Sequence, residues 1–144
     1  MGYASITNGF KSGGWSSDSF LPVDDEIVDT YELGLKSDPL ENLRVNGAVF
    51  YNEYDGLQLN GTVPEGGFSR YNAGTVSTYG AELDVTWQVT EEFKLDAFIG
   101  TLEGEYDELT EAALNLIDYS KELKQAPEIT YGVNANYVRQ VSAG

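Results

Sequence analysis

Residues 78–89 alternate between apolar and polar side chains with a period of two. Successive side chains of a β-strand point to opposite sides of the sheet, so this alternation predicts a strand with two unlike faces. One face carries apolar side chains, and the other carries carboxylate, hydroxyl and amide groups. The pattern leaves open whether the apolar face packs against a protein core or against lipid.

The same alternation recurs in three other segments, which contain residues 31–36, 93–99 and 129–137. With two further β-rich stretches, it predicts an all-β fold: an antiparallel meander of about six long strands. The predicted strands are 3–10, 27–37, 43–60, 68–89, 93–106 and 128–141. We interpret Asn46-Gly47, a common hairpin signal, as strand interior because the alternation continues on both sides of it.

The predicted connections alternate in length. Those at 37–42 and 90–92 are short, and Asp38-Pro39 is a turn signal. Those at 11–26, 61–67 and 107–127 are longer and polar. Short turns at one end and long loops at the other are typical of a membrane β-barrel. The strand through 68–89 also exceeds by far the average of about 5–6 residues in soluble proteins.

One loop contains a helical pattern. Apolar side chains recur at helical spacing within 107–127, at Leu109, Ala112, Ala113, Leu116 and Ile117. We predict a short amphipathic helix in this long loop. It would either rest on a strand end or belong to a loop that contacts substrate.

Charge and amino-acid composition disfavour several classes of function. The 144 residues include 24 acidic and 8 basic side chains, for a net charge of −16, which disfavours nucleic acid as a partner. The sequence has neither cysteine nor histidine, which removes the usual nucleophile pairs and most transition-metal sites. We therefore predict no catalytic residues, no metal ligands and no cofactor. We expect one domain spanning residues 1–144.

Five segments resemble the C-terminal β-barrel region of TonB-dependent outer-membrane receptors. In chain order they are YASITNGFKSGGW (3–15), YELGLKSD (31–38), FYNEYDGLQL (50–59), NAG followed by YGAELD (72–84), and KELKQAPEITYGVNANY (121–137). The resemblance covers nearly the whole chain.

The resemblance implies part of a barrel of about 22 strands closed by a plug domain. It implies a transporter rather than an enzyme, in the outer membrane of a Gram-negative bacterium. Such receptors import scarce substrates such as iron–siderophore complexes, cobalamin or oligosaccharides. The implied partners are outer-membrane lipid, the rest of the barrel and plug, and TonB, which engages an N-terminal box. Because the chain shows no plug, box or signal sequence, we expect a receptor fragment that is inactive in transport alone.

The resemblance implies that one face of each strand contacts lipid and the other faces the barrel lumen. The predicted lipid-facing side chains are Tyr31, Leu33, Leu35, Ala81, Leu83, Val85, Trp87, Ile129, Tyr131, Val133 and Tyr137. The predicted lumen-facing side chains are Glu32, Lys36, Glu82, Asp84, Thr86, Gln88, Asn134 and Asn136. Trp87 and Tyr137 would belong to an interfacial aromatic girdle.

An alternative is a soluble, acidic β-sandwich that binds calcium or glycans. The acidic run 23–29 offers oxygen ligands, although it lacks the alternating spacing of a calcium loop. A sugar-stacking platform would come from Tyr3, Tyr51, Phe68, Tyr54 and Tyr71. Glu82 and Asp84 lie on one strand face and do not flank a bond from opposite sides, so we expect no glycosidase chemistry there.

Overall fold

The computed structural model describes residues 1–16, 21–62, 68–114, 123 and 126–139. These residues form ten strands and one short helix. The elements are β1 (Gly2–Lys11), β2 (Gly14–Trp15), β3 (Pro22–Val23), β4 (Glu26–Leu40), β5 (Leu43–Asp55), β6 (Gln58–Thr62), β7 (Phe68–Asn72), β8 (Gly74–Gln88), β9 (Phe93–Leu109), α1 (Glu111–Leu114) and β10 (Ile129–Tyr137).

Six strands form one antiparallel sheet in the order β1-β4-β5-β8-β9-β10. Each long strand pairs with the next long strand along the chain, so the sheet is a meander. The predicted fold class is therefore confirmed. Asn46 and Gly47 lie inside β5, as the alternation predicted.

Two predicted strands are wrong in one respect: each is divided in two. The stretch 43–60 breaks between β5 and β6 at Gly56, and the stretch 68–89 breaks before β8 at Gly74. Both glycines have positive φ, 68° and 126° respectively, which side-chain-bearing residues rarely adopt. The break is a bend rather than an end, because β6 pairs with β7 beyond it.

The short turns fall where the sequence predicted them, with a change of detail. Strand β4 runs on through Asp38 and Pro39, with a register irregularity between Ser37 and Leu40. A proline has no N–H to give to a strand ladder, so an irregularity is a place that tolerates it. The other short turn is closed by backbone hydrogen bonds between Thr90 and Phe93.

The long loops carry their own local structure. Loop 11–26 contains the β2–β3 pair. The predicted helix is present as α1, a single turn, while Leu116 and Ile117 of its pattern lie outside the described residues. Thr110 caps this turn, because its Oγ1 accepts the Ala113 N–H at 3.3 Å.

Buried apolar residues are few and lie towards the loop end of the sheet. Among the described residues they are Val23, Ala73, Val76 and Ala113. Ala73 and Ala113 are fully buried, with Leu59, Tyr71, Tyr106 and Leu109 packed against them. The middle of the sheet has no such cluster within the described part of the chain, and its apolar side chains are exposed or half-exposed.

The sandwich alternative is not supported. It requires a second sheet over the apolar face, yet in the described ranges the only other sheets are the two-stranded β2–β3 and β6–β7. Leu33 and Val133, on the predicted apolar face, are 61% and 72% exposed. Within the described residues, no helix has the length and apolar character needed to cross a membrane.

Candidate functional site

The sheet gathers the predicted lipid-facing side chains on one side, here called the apolar face. The pairing register aligns Leu33 with Val49 and Ala81, and it aligns Leu83 with Ile99 and, beyond it, Tyr131. All eleven predicted residues lie on this face: Tyr31, Leu33, Leu35, Ala81, Leu83, Val85, Trp87, Ile129, Tyr131, Val133 and Tyr137. Whether lipid covers the face is taken up below as a proposal.

A row of tyrosines crosses the apolar face near its loop end. Tyr31 pairs with Tyr51, and Tyr51 pairs with Tyr79. The ring centroids of Tyr31 and Tyr51 lie 6.4 Å apart, a separation typical of aromatic pairs. The Tyr79 hydroxyl donates a 2.8 Å hydrogen bond to Glu103 Oε2 on the next strand. We call these three residues the tyrosine row.

The next row on the same face, directly beyond the tyrosine row, consists of polar residues. This acidic row consists of Asn8, Asp29, Glu53, Ser77 and Glu105, aligned by the register. Asn8 Nδ2 donates to Asp29 Oδ1 at 2.7 Å, and the hydroxyls of Tyr51 and Ser77 are 2.9 Å apart. A row of hydroxyls and carboxylates therefore follows the tyrosine row on this face, and the exposed side chains of Phe10 and Ile27 lie beyond that row.

The opposite border lies at the short turns. Trp87, Phe93 and Tyr137 lie on the apolar face within one row of each other. Along β8 the border-to-border distance runs from Tyr79 to Trp87, about 26 Å at about 3.3 Å per residue. With a strand tilt of about 40° this becomes about 20 Å, similar to the apolar band of about 25 Å on outer-membrane barrels.

The other side of the sheet, the polar face, collects the predicted lumen-facing residues. They are Glu32, Lys36, Glu82, Asp84, Thr86, Gln88, Asn134 and Asn136. Hydrogen bonds link neighbouring strands here: Thr86 Oγ1 donates to Asp96 Oδ1 at 3.0 Å, and Thr30 Oγ1 donates to Asn52 Oδ1 at 2.8 Å. Lys94 Nζ pairs with the same Asp96 carboxylate at 2.8 Å.

Three aromatic rings on the polar face lie over glycines of the adjacent strand. Tyr3 lies over Gly34, Phe50 over Gly80 and Phe98 over Gly132, each opposite its partner in the register. In every case a Cβ on the glycine would collide with the ring, and at Gly80 it would lie 2.7 Å from Phe50 Cζ. The rings fold flat and restore the packing that glycine lacks.

An acidic cavity opens where the long loops meet the sheet. Its lining includes Asp24, Asp25, Asp55 and Glu108 from separate parts of the chain. Asn72, Gly74 and Thr110 complete the wall closest to the fully buried Ala73. Sequence reasoning missed this cavity, because Asp24, Asp55 and Glu108 come together only through the pairing of β4, β5, β8 and β9.

The loop end partly buries two tyrosine rings. Tyr71 and Tyr106 pack against Ala73 and Ala113. Burial raises the pKa of the Tyr106 hydroxyl above its ordinary value. Burial and the neighbouring Tyr106 together raise the pKa of the Tyr71 hydroxyl.

The described residues do not form the calcium site or the sugar-stacking platform that the sequence offered as alternatives. In the part of the chain that the structure describes, no three acidic side chains converge closely enough to hold a metal ion. Tyr3 and Tyr54 lie on the polar face and Tyr51 on the apolar face, so they form no common stacking platform. Glu82 and Asp84 occupy successive rows of the polar face.

These features define the class. A continuous antiparallel meander, with short turns at one end, long loops at the other and two unlike faces, is one sector of a large β-barrel wall. A family model described as TonB dependent receptor-like, beta-barrel, matches residues 1–144, and the chain belongs to this family. TonB-dependent receptors are outer-membrane transporters of Gram-negative bacteria.

Solved structures show the same fold. The chain is similar to the ferric yersiniabactin uptake receptor FyuA from Yersinia pestis, with 19% identity and a TM-score of 0.73 over 97% of this chain and 21% of that one. It is also similar to the copper transporter OprC, with 16% identity and a TM-score of 0.68 over 96% of this chain and 22% of that one. The chain thus spans about a fifth of either structure.

Proposed function

We propose that residues 1–144 form one sector of the barrel wall of an outer-membrane receptor that imports a scarce substrate. The substrate class would be an iron–siderophore complex, cobalamin or an oligosaccharide. The observation that carries the proposal is the apolar face: it is exposed, continuous over six strands and bordered by aromatic rows at both ends. An alternating strand face with an apolar band between aromatic girdles is typical of the lipid-facing side of an outer-membrane barrel.

The upper border supports the same orientation. Tyrosine rings favour the boundary between hydrocarbon and headgroups, and the tyrosine row lies there with its hydroxyls towards polar partners. The acidic row begins one step beyond, where carboxylates would reach water rather than hydrocarbon. The long loops would accordingly face the exterior and the short turns the periplasm.

The polar face would line the hydrated lumen and meet the plug domain. Hydrogen bonds link its side chains across strands, as Thr86 is linked to Asp96, so it offers a wetted wall rather than a binding pocket. Because the aromatic rings lie flat over glycines, they project little from the polar face, which would leave room for a plug to pass close to it. TonB would act on the receptor outside these residues, and the sector by itself would transport nothing.

Site-directed labelling tests this assignment. The sequence contains no cysteine, so single cysteines at Leu83 and Glu82 can carry an environment-sensitive fluorophore without background from this segment. In the receptor reconstituted into vesicles, we expect quenchers on lipid tails to act on the label at 83. A water-soluble quencher should act on the label at 82.

The neighbouring positions are matched controls for each other, because they share a strand and a depth but not a face. Reversed quenching would assign lipid to the polar face and would contradict the proposal. Quenching of both labels by the aqueous reagent alone would show that no lipid covers the sheet, which favours a soluble binding module.

A further inference from the structure

The three long loops meet at one short stretch of chain. The first loop joins β1 to β4, the second joins β5 to β8 and the third joins β9 to β10. Asn72 and Ala73, in the second loop, contact described residues of the other two. We call this meeting point the loop junction, and it comprises Asp24, Gly56, Asn72, Ala73 and Thr110.

The side chain of Asn72 links the first loop to the second. Its Oδ1 accepts the Asp24 N–H at 2.8 Å, and its Nδ2 donates to the Asp24 carbonyl at 3.0 Å. The same Nδ2 donates to the Gly56 carbonyl at 2.7 Å. One amide therefore satisfies both backbone groups of Asp24 and one of Gly56, which a shorter or purely accepting side chain would not do.

The backbone at the same position holds the third loop. Thr110 Oγ1 donates to the Asn72 carbonyl at 2.7 Å, and the Thr110 N–H donates to the Ala73 carbonyl at 2.9 Å. The Ala73 N–H in turn donates to the Leu57 carbonyl at 2.7 Å. Because Ala73 and Ala113 are fully buried against each other, packing reinforces these bonds.

A second contact ties the first two loops together. Gln58, directly opposite Asn72 in the β6–β7 hairpin, is only 6% exposed. Its Nε2 donates to the Asp24 carbonyl at 2.9 Å, and its backbone N–H donates to Glu26 Oε2 at 2.7 Å. Both amide side chains at the base of the hairpin thus bind the same residue of the first loop.

We infer that the described parts of the three long loops open as one cooperative unit centred on Asn72, and not as three separate flaps. Hydrogen bonds that share partners form and break together, since breaking one leaves its neighbours unsatisfied. The acidic cavity has walls from all three loops, so a single opening would admit or release whatever occupies it. This last consequence rests on the proposed transport function, whereas the coupling does not.

Hydrogen exchange in the intact receptor without substrate tests the coupling. Asn72→Ala removes side-chain bonds to the first and second loops but leaves the Asn72 carbonyl that Thr110 contacts. We expect protection to fall by roughly tenfold or more at Asp24 and also in 110–114, because opening is shared. Thr110→Val should act in reverse, lowering protection at Asp24 although it touches no atom of that residue.

Asn60→Ala is the matched control, an exposed asparagine on the same hairpin, and it should leave both regions protected. If Asn72→Ala raises exchange at Asp24 while 110–114 keeps its protection, the loops open separately and the inference is wrong. The inference is equally wrong if Thr110→Val raises exchange in the third loop alone. The lipid-labelling result for the sheet is independent of either outcome.

Discussion

The middle of the sheet exposes large apolar side chains, whereas the loop end buries small apolar side chains together with polar groups. On the sheet, leucine, valine and isoleucine side chains stand exposed on the apolar face, as Leu33 and Val133 do. At the loop end, alanine and valine are buried, and the amide of Gln58 is buried with them. A soluble protein would usually bury leucine, valine and isoleucine side chains such as those exposed on the sheet. The contrast supports the proposal of two surroundings for one chain: lipid around the sheet and water around the loops.

Each region is therefore stabilised in a different way. The sheet has continuous backbone pairing over six strands, and under the proposed function lipid would cover its apolar side chains. The loop end has short strands and a small alanine-centred cluster, and it is held by shared polar bonds. Substitutions that insert charge should harm the first region most, and those that insert volume or strain should harm the second.

The largest effect is expected from Leu83→Arg, which places a charge midway between the tyrosine row and Trp87. Arginine at the bilayer midplane of a β-barrel costs about 2–4 kcal/mol. We expect the free energy of unfolding in lipid vesicles to fall by roughly that amount. The measurement is denaturant unfolding of the reconstituted receptor followed by tryptophan fluorescence.

Glu82→Arg is the control for this change, because it puts the same charge one residue away on the polar face. It should leave stability within about 1 kcal/mol of the original, as expected for a solvated surface position. Equal losses at 82 and 83 would mean that the two faces do not differ in their surroundings, and lipid around the apolar face would no longer explain its exposure.

Much of the sheet is predictable from local alternation. The alternation alone sorted residues of β4, β8 and β10 into the two faces that the pairing register shows, because a strand's side chains alternate wherever it lies. The tyrosine row was not predictable in this way. The alternation along each strand predicts the face on which Tyr31, Tyr51 and Tyr79 lie. Their alignment in one row across the sheet depends on the register between three strands.

The loop end could be predicted least. The bends at Gly56 and Gly74 depend on positive φ. A glycine permits this conformation, but its presence in the sequence does not predict it. The partners of Asn72 lie at Asp24 and Thr110, far away in sequence, and no spacing pattern connects them. Long-range polar contacts of this kind have no periodic signature, whereas a strand face does.

An intermediate effect is expected from Gly74→Ala. Gly74 has a φ of 126°, and a Cβ there would collide with the Glu108 carbonyl oxygen. Strain of this kind costs about 1–3 kcal/mol, so we expect a loss of that order. Gly47→Ala is the matched change in the sheet, where the nearest atom to the new Cβ is 3.6 Å away.

Thermal unfolding of the two glycine variants under identical conditions makes the comparison. Gly74→Ala should lower the melting temperature, with the earliest change in proteolysis of the long loops. Gly47→Ala should leave both unchanged. A larger loss from Gly47→Ala would show that the sheet, and not the loop end, is the tightly packed region.

The smallest effect is a pH dependence confined to the loop end. Burial raises the pKa of Tyr106 in the folded state above its ordinary value of about 10. The associated stability is therefore fully present below about pH 10 and is lost as pH rises through the folded-state pKa. Above pH 10, the stability of the original protein should fall more steeply than that of Tyr106→Phe, which keeps the ring but cannot ionise. Denaturant unfolding of both proteins across this range measures the difference, and parallel curves would mean that the Tyr106 hydroxyl is as well solvated in the folded loop end as in the unfolded chain.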